Sequence, residues 1–237
     1  MNRELTPYDG ILLVDKPAGK TSHDVVDAVR RHFRFKKVGH CGTLDPLATG
    51  LLILVMGRAT KLSEKLLSDN KDYQGTLRLG VDTDTQDADG RVIKTCEVPS
   101  FTQSQIEQAF DKFKGDIYQT PPMVSAIKHQ GKPLYKLARK GIEIERKPRL
   151  VHVFEFRILS VQLPHVKFLL RCTKGTYVRT LCTDIGQTLG CGGHLAELRR
   201  TRSGKFSIEN AHTLDEILAT PRDKLADWIT PMWEVKA

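Results

Sequence analysis

The chain has 237 residues, with 37 Lys and Arg against 28 Asp and Glu, so its formal net charge is +9. Hydrophobic residues make up 40% of the chain and charged residues 27%, which is typical of a globular protein and excludes a disordered one. The longest strongly apolar run, Leu51–Met56, is far shorter than the roughly 20 residues that cross a bilayer. The first ten residues hold no apolar signal region, so we expect a cytoplasmic protein.

The first half of the chain alternates apolar runs with turn residues. The pattern predicts a buried strand, a turn, a helix capped by Thr21 or Ser22, a glycine-rich loop, a second buried strand and a short helix, at Tyr8–Asp15, 16–19, His23–Phe33, Val38–Gly50, Leu51–Met56 and Ala59–Leu67. A strand over Tyr73–Val81 then turns at Asp89-Gly90 into a returning strand over Arg91–Val98.

The second half predicts further hairpins and helices. Helices are expected over Thr102–Phe113, Leu134–Lys140, Thr176–Leu189 and most of Leu214–Ile229. Strands are expected over Val124–His129, Leu150–Gln162, Val166–Cys172 and Leu195–Thr201. Because hairpins replace repeated strand–helix–strand units, we predict an α+β fold with a mixed, mostly antiparallel sheet flanked by helices and loops.

The five cysteines are scattered, and none belongs to a C-x-x-C pair. This spacing argues against a zinc ribbon and a disulfide framework, and it indicates reduced packing residues. The chain also lacks a phosphate-binding P-loop, a G-x-G-x-x-G fingerprint, an H-E-x-x-H motif and a G-x-S-x-G elbow. Nucleotide cofactors therefore have no recognisable binding motif.

The acidic stretch from Asp82 to Asp89 does not fit a calcium loop. Counted from Asp82, the sixth residue is Asp87 and the twelfth is Ile93, where an EF-hand needs glycine and glutamate. A turn whose acids accept local backbone hydrogen bonds is the preferred interpretation.

The positive charge is clustered in residues 30–37, 128–149 and 171–205. Such segregation favours a polyanionic partner, most simply nucleic acid. The alternative is that these stretches are solvated faces.

The segment GHCGTLDPLATG, residues 39–50, is the strongest candidate for chemistry. Its glycines allow backbone to approach a partner closely, and Pro46 favours an extended conformation at Asp45. A carboxylate fixed beside a buried strand suits nucleophilic or electrostatic work at a sugar carbon. An ordinary Asp-Pro turn explains the same residues without function.

The segment GHCGTLDPLATGLL resembles the signature of the TruB-type tRNA pseudouridine synthases. Four other segments match in the family's order: ILLVDKPAGKTSHDVV, KDYQGTLRLGVDTDTQDADG, QTPPMVSAIKHQGKPLYKLARKG and CTKGTYVRTLCTDIGQTLGCGGHLAELRRTRSG. The resemblance implies the pseudouridine synthase fold and an isomerase that converts the uridine at position 55 in the T arm of tRNA. It also implies that no cofactor and no metal are required.

The resemblance assigns the family's essential aspartate to Asp45. Three roles stay open for it: attack on the sugar at C1′, attack on the base at C6, or stabilisation of a charged intermediate while a sugar proton leaves. The catalytic set is completed by Arg179, whose guanidinium would hold the carboxylate, and by Tyr73, which would pack on the uracil and is a candidate proton acceptor. Without the resemblance, Tyr73 and Tyr177 are ordinary core aromatics and Arg179 is a surface charge.

The resemblance also implies a binding surface for a displaced nucleotide. His40, Tyr73, Tyr177 and Leu198 are the expected substrate-binding residues, because a stacked uridine must be extruded before C1′ and C5 can be reached. Asp87 is expected to orient Arg179. The Lys16-Pro17 pair matches the family without an assigned step.

The expected partner is tRNA, clamped through its phosphates by the basic region 128–140, with neither a membrane nor a metal involved. We expect a monomeric bacterial-type enzyme with a catalytic domain over residues 1–212. Residues 213–237 are expected to form a short helical tail without the C-terminal RNA-binding PUA domain. A tRNA-binding folding chaperone with secondary isomerase activity is the alternative, and glycoside hydrolysis is a weaker third.

Overall fold

A computed structural model describes residues 5–67, 69–125, 127–138 and 140–235, with Lys128 and His129 described by their backbone alone. The chain is divided into two compact units. The first comprises the residues up to Lys71 and from Arg199 onward, and the second comprises Asp72–Leu198.

Helices are interspersed among runs of consecutive strands in the described residues. The helices are α1 Ser22–His32, α2 Ser63–Leu67, α3 Gln103–Asp111, α4 Leu134–Ala138, α5 Val178–Thr188, α6 Leu214–Ala219 and α7 Arg222–Leu225. The strands are β1 Gly10–Lys16, β2 Val38–Cys41, β3 Thr49–Met56, β4 Lys71–Leu79, β5 Val81–Thr83, β6 Val92–Thr95, β7 Gly115–Gln119, β8 Lys128–His129, β9 Lys132–Pro133, β10 Arg149–Gln162, β11 His165–Cys172, β12 Gly193–Ser203, β13 Phe206–Ser207, β14 His212–Thr213 and β15 Ile229–Pro231. Short 3₁₀ helices occupy Gly57–Leu62, Ile208–Asn210 and Ala226–Trp228.

The first unit is built on the antiparallel pair of β1 and β3. β1 also pairs with β14 in parallel and with β15 in antiparallel fashion, and β3 pairs with β2. Both strands are almost fully buried because their runs are apolar on both faces. Strand β12 enters the first unit at Arg199. There it pairs with β3 in parallel, with Arg199 opposite Thr49 and Arg200 opposite Gly50.

Helix α1 begins at a capping box. The Thr21 side chain accepts a hydrogen bond from the Asp24 backbone N–H, and the Asp24 carboxylate accepts one from the Thr21 N–H. Val25, Val26 and Val29 are buried on one face, as the helical period requires. The helix therefore has a fixed start, immediately after the turn that follows β1.

The second unit is built on a sheet whose strands follow the order β12-β4-β11-β10-β7. The long hairpin of β10 and β11 supplies Phe156 and Phe168, which pack against Phe110 of α3. A Cβ at Gly75 of β4 would overlap the Phe168 ring, so glycine is needed there. Two separate ribbons, β5-β6 and β8-β9, extend from this unit.

The structure confirms the α+β class and most predicted elements, corrects two of them, and adds one, β7, that was not predicted. Residues 38–41, predicted as loop, form strand β2, because β3 supplies backbone partners from Ile53 to Met56 that local propensity does not reveal. The strand predicted over Val124–His129 is confined to β8, since the chain bends at Met123–Ser125 after two prolines, and Ala126 lies outside the described residues. Strand β7 is an element that the pattern missed.

The described residues after Thr213 form α6, α7, a 3₁₀ turn and β15. Thus the predicted helical tail also supplies a short strand that pairs with β1. A catalytic domain over residues 1–212 stays a prediction. Among the described residues, no helix is long and apolar enough to cross a membrane.

Replacing Thr21 by alanine is expected to lower the free energy of unfolding by about 1 kcal/mol, because the Asp24 N–H at the start of α1 loses its acceptor. Urea unfolding followed by circular dichroism measures this loss. Thr21→Ser, which keeps the hydroxyl acceptor, is the matched control. Equal stability of Thr21→Ala and wild type would contradict the capping role.

Candidate active site

Asp45 lies in a loop of the first unit, residues 42–48, hereafter the Asp45 loop. Its side chain is half-buried. On the N-terminal side of Asp45, the Ser22 hydroxyl accepts a hydrogen bond from the Leu44 N–H at 2.8 Å and donates to the Leu44 carbonyl at 3.1 Å. Ser22 is itself buried at the first position of α1. The residue before Asp45 is therefore fixed to the capped end of that helix.

On the C-terminal side of Asp45, the Pro46 carbonyl accepts from the Lys16 ammonium at 3.2 Å and from the Gly19 N–H at 2.9 Å. The Ala48 N–H donates to the carbonyl of Asp45 itself at 3.1 Å, which closes a turn. The Lys16 side chain is fully buried and also donates to the carbonyls of Pro17 and Lys20. A buried ammonium is tolerated because these oxygens replace its water. Lys16 thus acts as a support for the Asp45 loop, a role that the sequence did not reveal.

His40 lies on β2, opposite Leu54. Its Nδ1 atom is enclosed and makes no hydrogen bond with any residue that the structure describes. Burial lowers the pKa of His40 below its ordinary value, and the positive charges of Arg200 and His23 lower it further. The ring is therefore held in its neutral form, which favours stacking over ion pairing.

Cys41 follows His40 but is not a candidate nucleophile. Burial raises the pKa of the Cys41 thiol to about 11, against the smaller opposing influence of Lys71 and Arg200. A thiol that stays protonated near neutral pH is a poor nucleophile. The carboxylate of Asp45 is thus the better candidate in this part of the chain.

Arg179 lies in the first turn of α5 in the second unit, and only 4% of it is exposed. Its guanidinium donates to the carbonyls of Thr85 and Val124, both at 2.8 Å. The Asp87 carboxylate lies 3.6 Å from its Nε atom. Asp87 in turn accepts from the Thr85 hydroxyl and the Asp89 N–H, the local bonding predicted for this acid-rich turn. Arg179 is a buried, oriented cation and not a surface charge.

Tyr177 immediately precedes α5 and is held by Gln119. The Gln119 amide accepts from the Tyr177 N–H at 2.9 Å and donates to the Tyr177 carbonyl at 3.2 Å. Gln119 ends β7 and is 3% exposed, whereas Tyr177 is half-buried. One amide thus fixes the backbone from which the Tyr177 and Arg179 side chains extend.

Tyr73 and Leu198 are on strands β4 and β12 and are 9% and 8% exposed. The structure therefore gathers the predicted residues in two groups. His40 and Asp45 belong to the first unit, and Tyr73, Tyr177, Arg179 and Leu198 to the second. Pairing between Asp45 and Arg179 stays a prediction.

Comparison with known proteins identifies the family. The profile of the TruB family pseudouridylate synthase N-terminal domain matches residues 30–178, and that of the tRNA pseudouridylate synthase B C-terminal domain matches residues 179–235. The tRNA pseudouridine synthase B of Opitutus terrae is 55% identical over 226 residues, covering 95% of this chain and 94% of that protein. The chain belongs to the TruB family of pseudouridylate synthases.

Other TruB relatives are longer than this chain. The tRNA pseudouridine synthase B of Syntrophotalea carbinolica is 48% identical over 217 residues, which cover 91% of this chain and 71% of that protein.

The family profiles and these relatives confirm the resemblance drawn from the five sequence motifs. They also confirm its expectation of an RNA-modifying isomerase.

Two solved structures share the fold. A chain of a Cbf5-Nop10-Gar1 complex matches with a TM-score of 0.76 and 30% identity over 96% of this chain. A chain of an H/ACA RNP bound to a substrate RNA containing 2'-deoxyuridine matches with a TM-score of 0.69 and 27% identity over 96% of this chain. The TruB chain described here spans 61% and 58% of those two chains.

Sequence reasoning missed three supporting residues, namely Ser22, Gln119 and Arg200. Ser22 binds both the N–H and the C=O of Leu44, and Gln119 binds both groups of Tyr177. Arg200 donates to the carbonyls of Gly42 and Leu51. Ser22 and Gln119 lie inside matched motifs, as does Arg200. However, nothing local distinguishes a supporting polar residue from an exposed one.

The lowered pKa of His40 has a consequence for stability. Below the unfolded-state pKa of about 6.5, the unfolded chain binds a proton that folded His40 does not, so the free energy of unfolding falls as the pH falls. Wild type is expected to lose more stability between pH 7.5 and pH 5.5 than His40→Gln or His40→Asn, as measured by urea unfolding. All other histidines are common to the three proteins. Parallel pH dependence in all three would show that His40 is not held neutral.

Gln119→Met is expected to lower the free energy of unfolding by about 1–3 kcal/mol, because the N–H and C=O of Tyr177 both lose their partner. Gln108→Met is the control, since Gln108 is exposed on α3 and, within the part of the chain that the structure describes, its side-chain amide donates to the Ser104 hydroxyl alone. That variant should stay within about 0.5 kcal/mol of wild type. Equal losses in thermal or urea unfolding would refute the support of Tyr177 by Gln119.

Proposed function

We propose that this chain converts the uridine at position 55 in the T arm of tRNA to pseudouridine, with Asp45 as the essential carboxylate. The observation that carries the proposal is the Asp45 loop itself. Its backbone is held on both sides of Asp45 by Ser22 and Lys16, within a family whose named relatives are tRNA pseudouridine synthases. A carboxylate on a fixed backbone is preorganised for reaction.

The reaction is an isomerisation. The N1–C1′ glycosidic bond breaks, the uracil turns, C5 forms a new bond to C1′, and the proton leaves C5 while N1 gains one. Substrate and product have the same atoms, and no electrons are transferred to an acceptor. The residues need only stabilise charge, hold the base and move protons, all of which carboxylate, guanidinium and phenol groups can do.

Asp45 would supply the negative charge or the nucleophile at the moment when the glycosidic bond breaks. The three roles that the family resemblance leaves open, at C1′, at C6 or as an electrostatic group, all require an ionised carboxylate. Arg179 would provide a positive charge of fixed orientation, because Thr85, Val124 and Asp87 already hold its guanidinium. Fixed charge of this kind costs little reorganisation during reaction.

The aromatic and apolar residues would receive the extruded nucleotide. We assign the uracil to Tyr73, Tyr177 and Leu198, and the stacking position near displaced bases to the neutral ring of His40. Extrusion from a folded loop costs a few kcal/mol, which contacts with these side chains would offset. Tyr73 as proton acceptor requires a cationic neighbour, since the pKa of an unperturbed phenol is about 10.

The RNA itself would be held by phosphate contacts. Lys132, Lys136 and Lys140 are exposed around β9 and α4. Arg139 and the side chain of Lys128, which belong to the same predicted clamp, lie outside the described residues. Affinity for tRNA is therefore expected to fall as salt rises.

Asp45→Asn is expected to reduce turnover by at least about 10³-fold, because an amide cannot carry the negative charge. Turnover is measured as tritium released from 5-tritiated uridine in a T-arm RNA, and RNA binding is measured separately by filter retention. Binding should stay within a few-fold of wild type. Asp223→Asn, an exposed acid in α7, is the control and should keep full activity.

Turnover that persists in Asp45→Asn would remove Asp45 from the mechanism. Tight RNA binding by the wild-type protein with no tritium release would favour the tRNA-folding chaperone. Free uracil among the products, seen by chromatography, would indicate glycoside hydrolysis.

A further inference from the structure

Arg200 is the largest side chain in the described residues that is almost fully buried, at 1% exposure. Its Nε atom donates to the carbonyl of Leu51 at 2.7 Å, and its Nη2 atom donates to the carbonyl of Gly42 at 3.0 Å. Gly42 precedes Asp45 and Leu51 follows it, so a single guanidinium connects the two ends of the segment that carries the carboxylate. All of these residues belong to the first unit.

The glycines at the two ends of this segment have positive φ and lie against Arg200. Gly42 has φ of +87°, and a Cβ there would lie 3.3 Å from the Arg200 Nη1 atom. Gly50 has φ of +95°, and a Cβ there would overlap the Arg200 carbonyl oxygen. The glycine spacing of the motif is therefore complementary to Arg200, which lies about 150 residues later in the chain.

Stability alone gives a weak reason for a buried guanidinium. Its desolvation is expensive, and replacing buried ionic groups by apolar side chains of similar volume is often neutral or stabilising. A methionine of similar length has no planar guanidinium, whose N–H donors set the distance and angle between two carbonyls. That property matters only if the backbone between those carbonyls must have one geometry.

We propose that Arg200 is a positioning residue for the isomerase reaction, in which its guanidinium fixes the backbone on either side of Asp45 and thereby aims the carboxylate. This inference rests on the proposed function. It differs from the roles of Ser22 and Lys16, which hold single residues inside the loop, because Arg200 sets the separation of the two ends. Its loss should slow the chemical step and leave RNA affinity nearly unchanged.

The first arm of the test compares Arg200→Met and Arg200→Lys with wild type in the tritium-release assay, at a temperature where circular dichroism shows each protein fully folded. We expect kcat to fall about 10²-fold, as for other small misplacements of a catalytic group, with KM and the Kd for T-arm RNA near the wild-type values. Arg199→Met is the matched control. Arg199 is adjacent and pairs bidentately with Asp15 at 2.6 and 3.0 Å, but it donates no hydrogen bond to the Asp45 loop among the bonds described.

The second arm separates positioning from folding. Arg200→Ala leaves space for a guanidinium ion, so millimolar ethylguanidinium should raise its kcat, while equal concentrations of ethylammonium should not. Wild type and Arg199→Met should respond to neither. If Arg200 only stabilised the fold, recovery of kcat by ethylguanidinium but not by ethylammonium would not be expected.

The third arm measures the pKa of His40, which lies near Arg200. Since the charge of Arg200 helps to lower the pKa of His40, an NMR titration should show a higher His40 pKa in Arg200→Met than in Arg200→Lys. In protein that circular dichroism shows to be fully folded, this shift reports the loss of the Arg200 charge beside His40.

The proposal is overturned if folded Arg200→Met keeps wild-type kcat, if KM and the Kd for T-arm RNA rise as kcat falls, which would place Arg200 in substrate binding, or if ethylguanidinium gives no rescue. The proposed function can fail independently of the positioning role of Arg200. Turnover retained in Asp45→Asn removes the catalytic aspartate whatever Arg200 does, whereas an inactive Asp45→Asn with a fully active Arg200→Met rejects the positioning role alone.

Discussion

Hydrogen bonding to the backbone carbonyls of the Asp45 loop is the constraint on which the site depends. The carbonyls of Gly42, Leu44 and Pro46 accept from the side chains of Arg200, Ser22 and Lys16, respectively. These donors come from β12, α1 and β1, three elements anchored in the core of the first unit. The position of a short irregular loop is thus determined by regular secondary structure, which is how an aspartate beside a proline can be held more rigidly than its local sequence implies.

Buried guanidinium groups are used in the same way in both units. Arg200 binds Gly42 and Leu51 in the first, and Arg179 binds Thr85 and Val124 in the second. In each case a cation with five donors satisfies backbone carbonyls, at least one of them in a loop, which would otherwise be costly to bury. The family resemblance assigns Arg179 itself to the site, and Arg200 lies two residues after Leu198, which the resemblance also assigns to it.

The sequence predicted elements whose information is local. The helix after Thr21 and the alternating strand β10 were found because a capping residue or a hydrophobic period marks them. Strand β2 was missed because its partner β3 determines it, and β7 because it is short and carries no clear period. The motif gave Asp45 directly, whereas the supporting bonds of Arg200 join residues far apart in sequence. Such long-range partners have no periodic or local signature, so the sequence names a candidate carboxylate but not the bonds that hold its loop.

Amide hydrogen exchange in the free protein is the most direct measurement of the central claim. The Leu44 N–H donates to Ser22 and the Ala48 N–H donates to the Asp45 carbonyl, so both should exchange slowly, at rates close to those of strand β3. Selective loss of this protection in Ser22→Ala would show that the bonds described here provide it. Exchange of both amides at the rate of an unstructured peptide in the wild-type protein would contradict a preformed Asp45 loop.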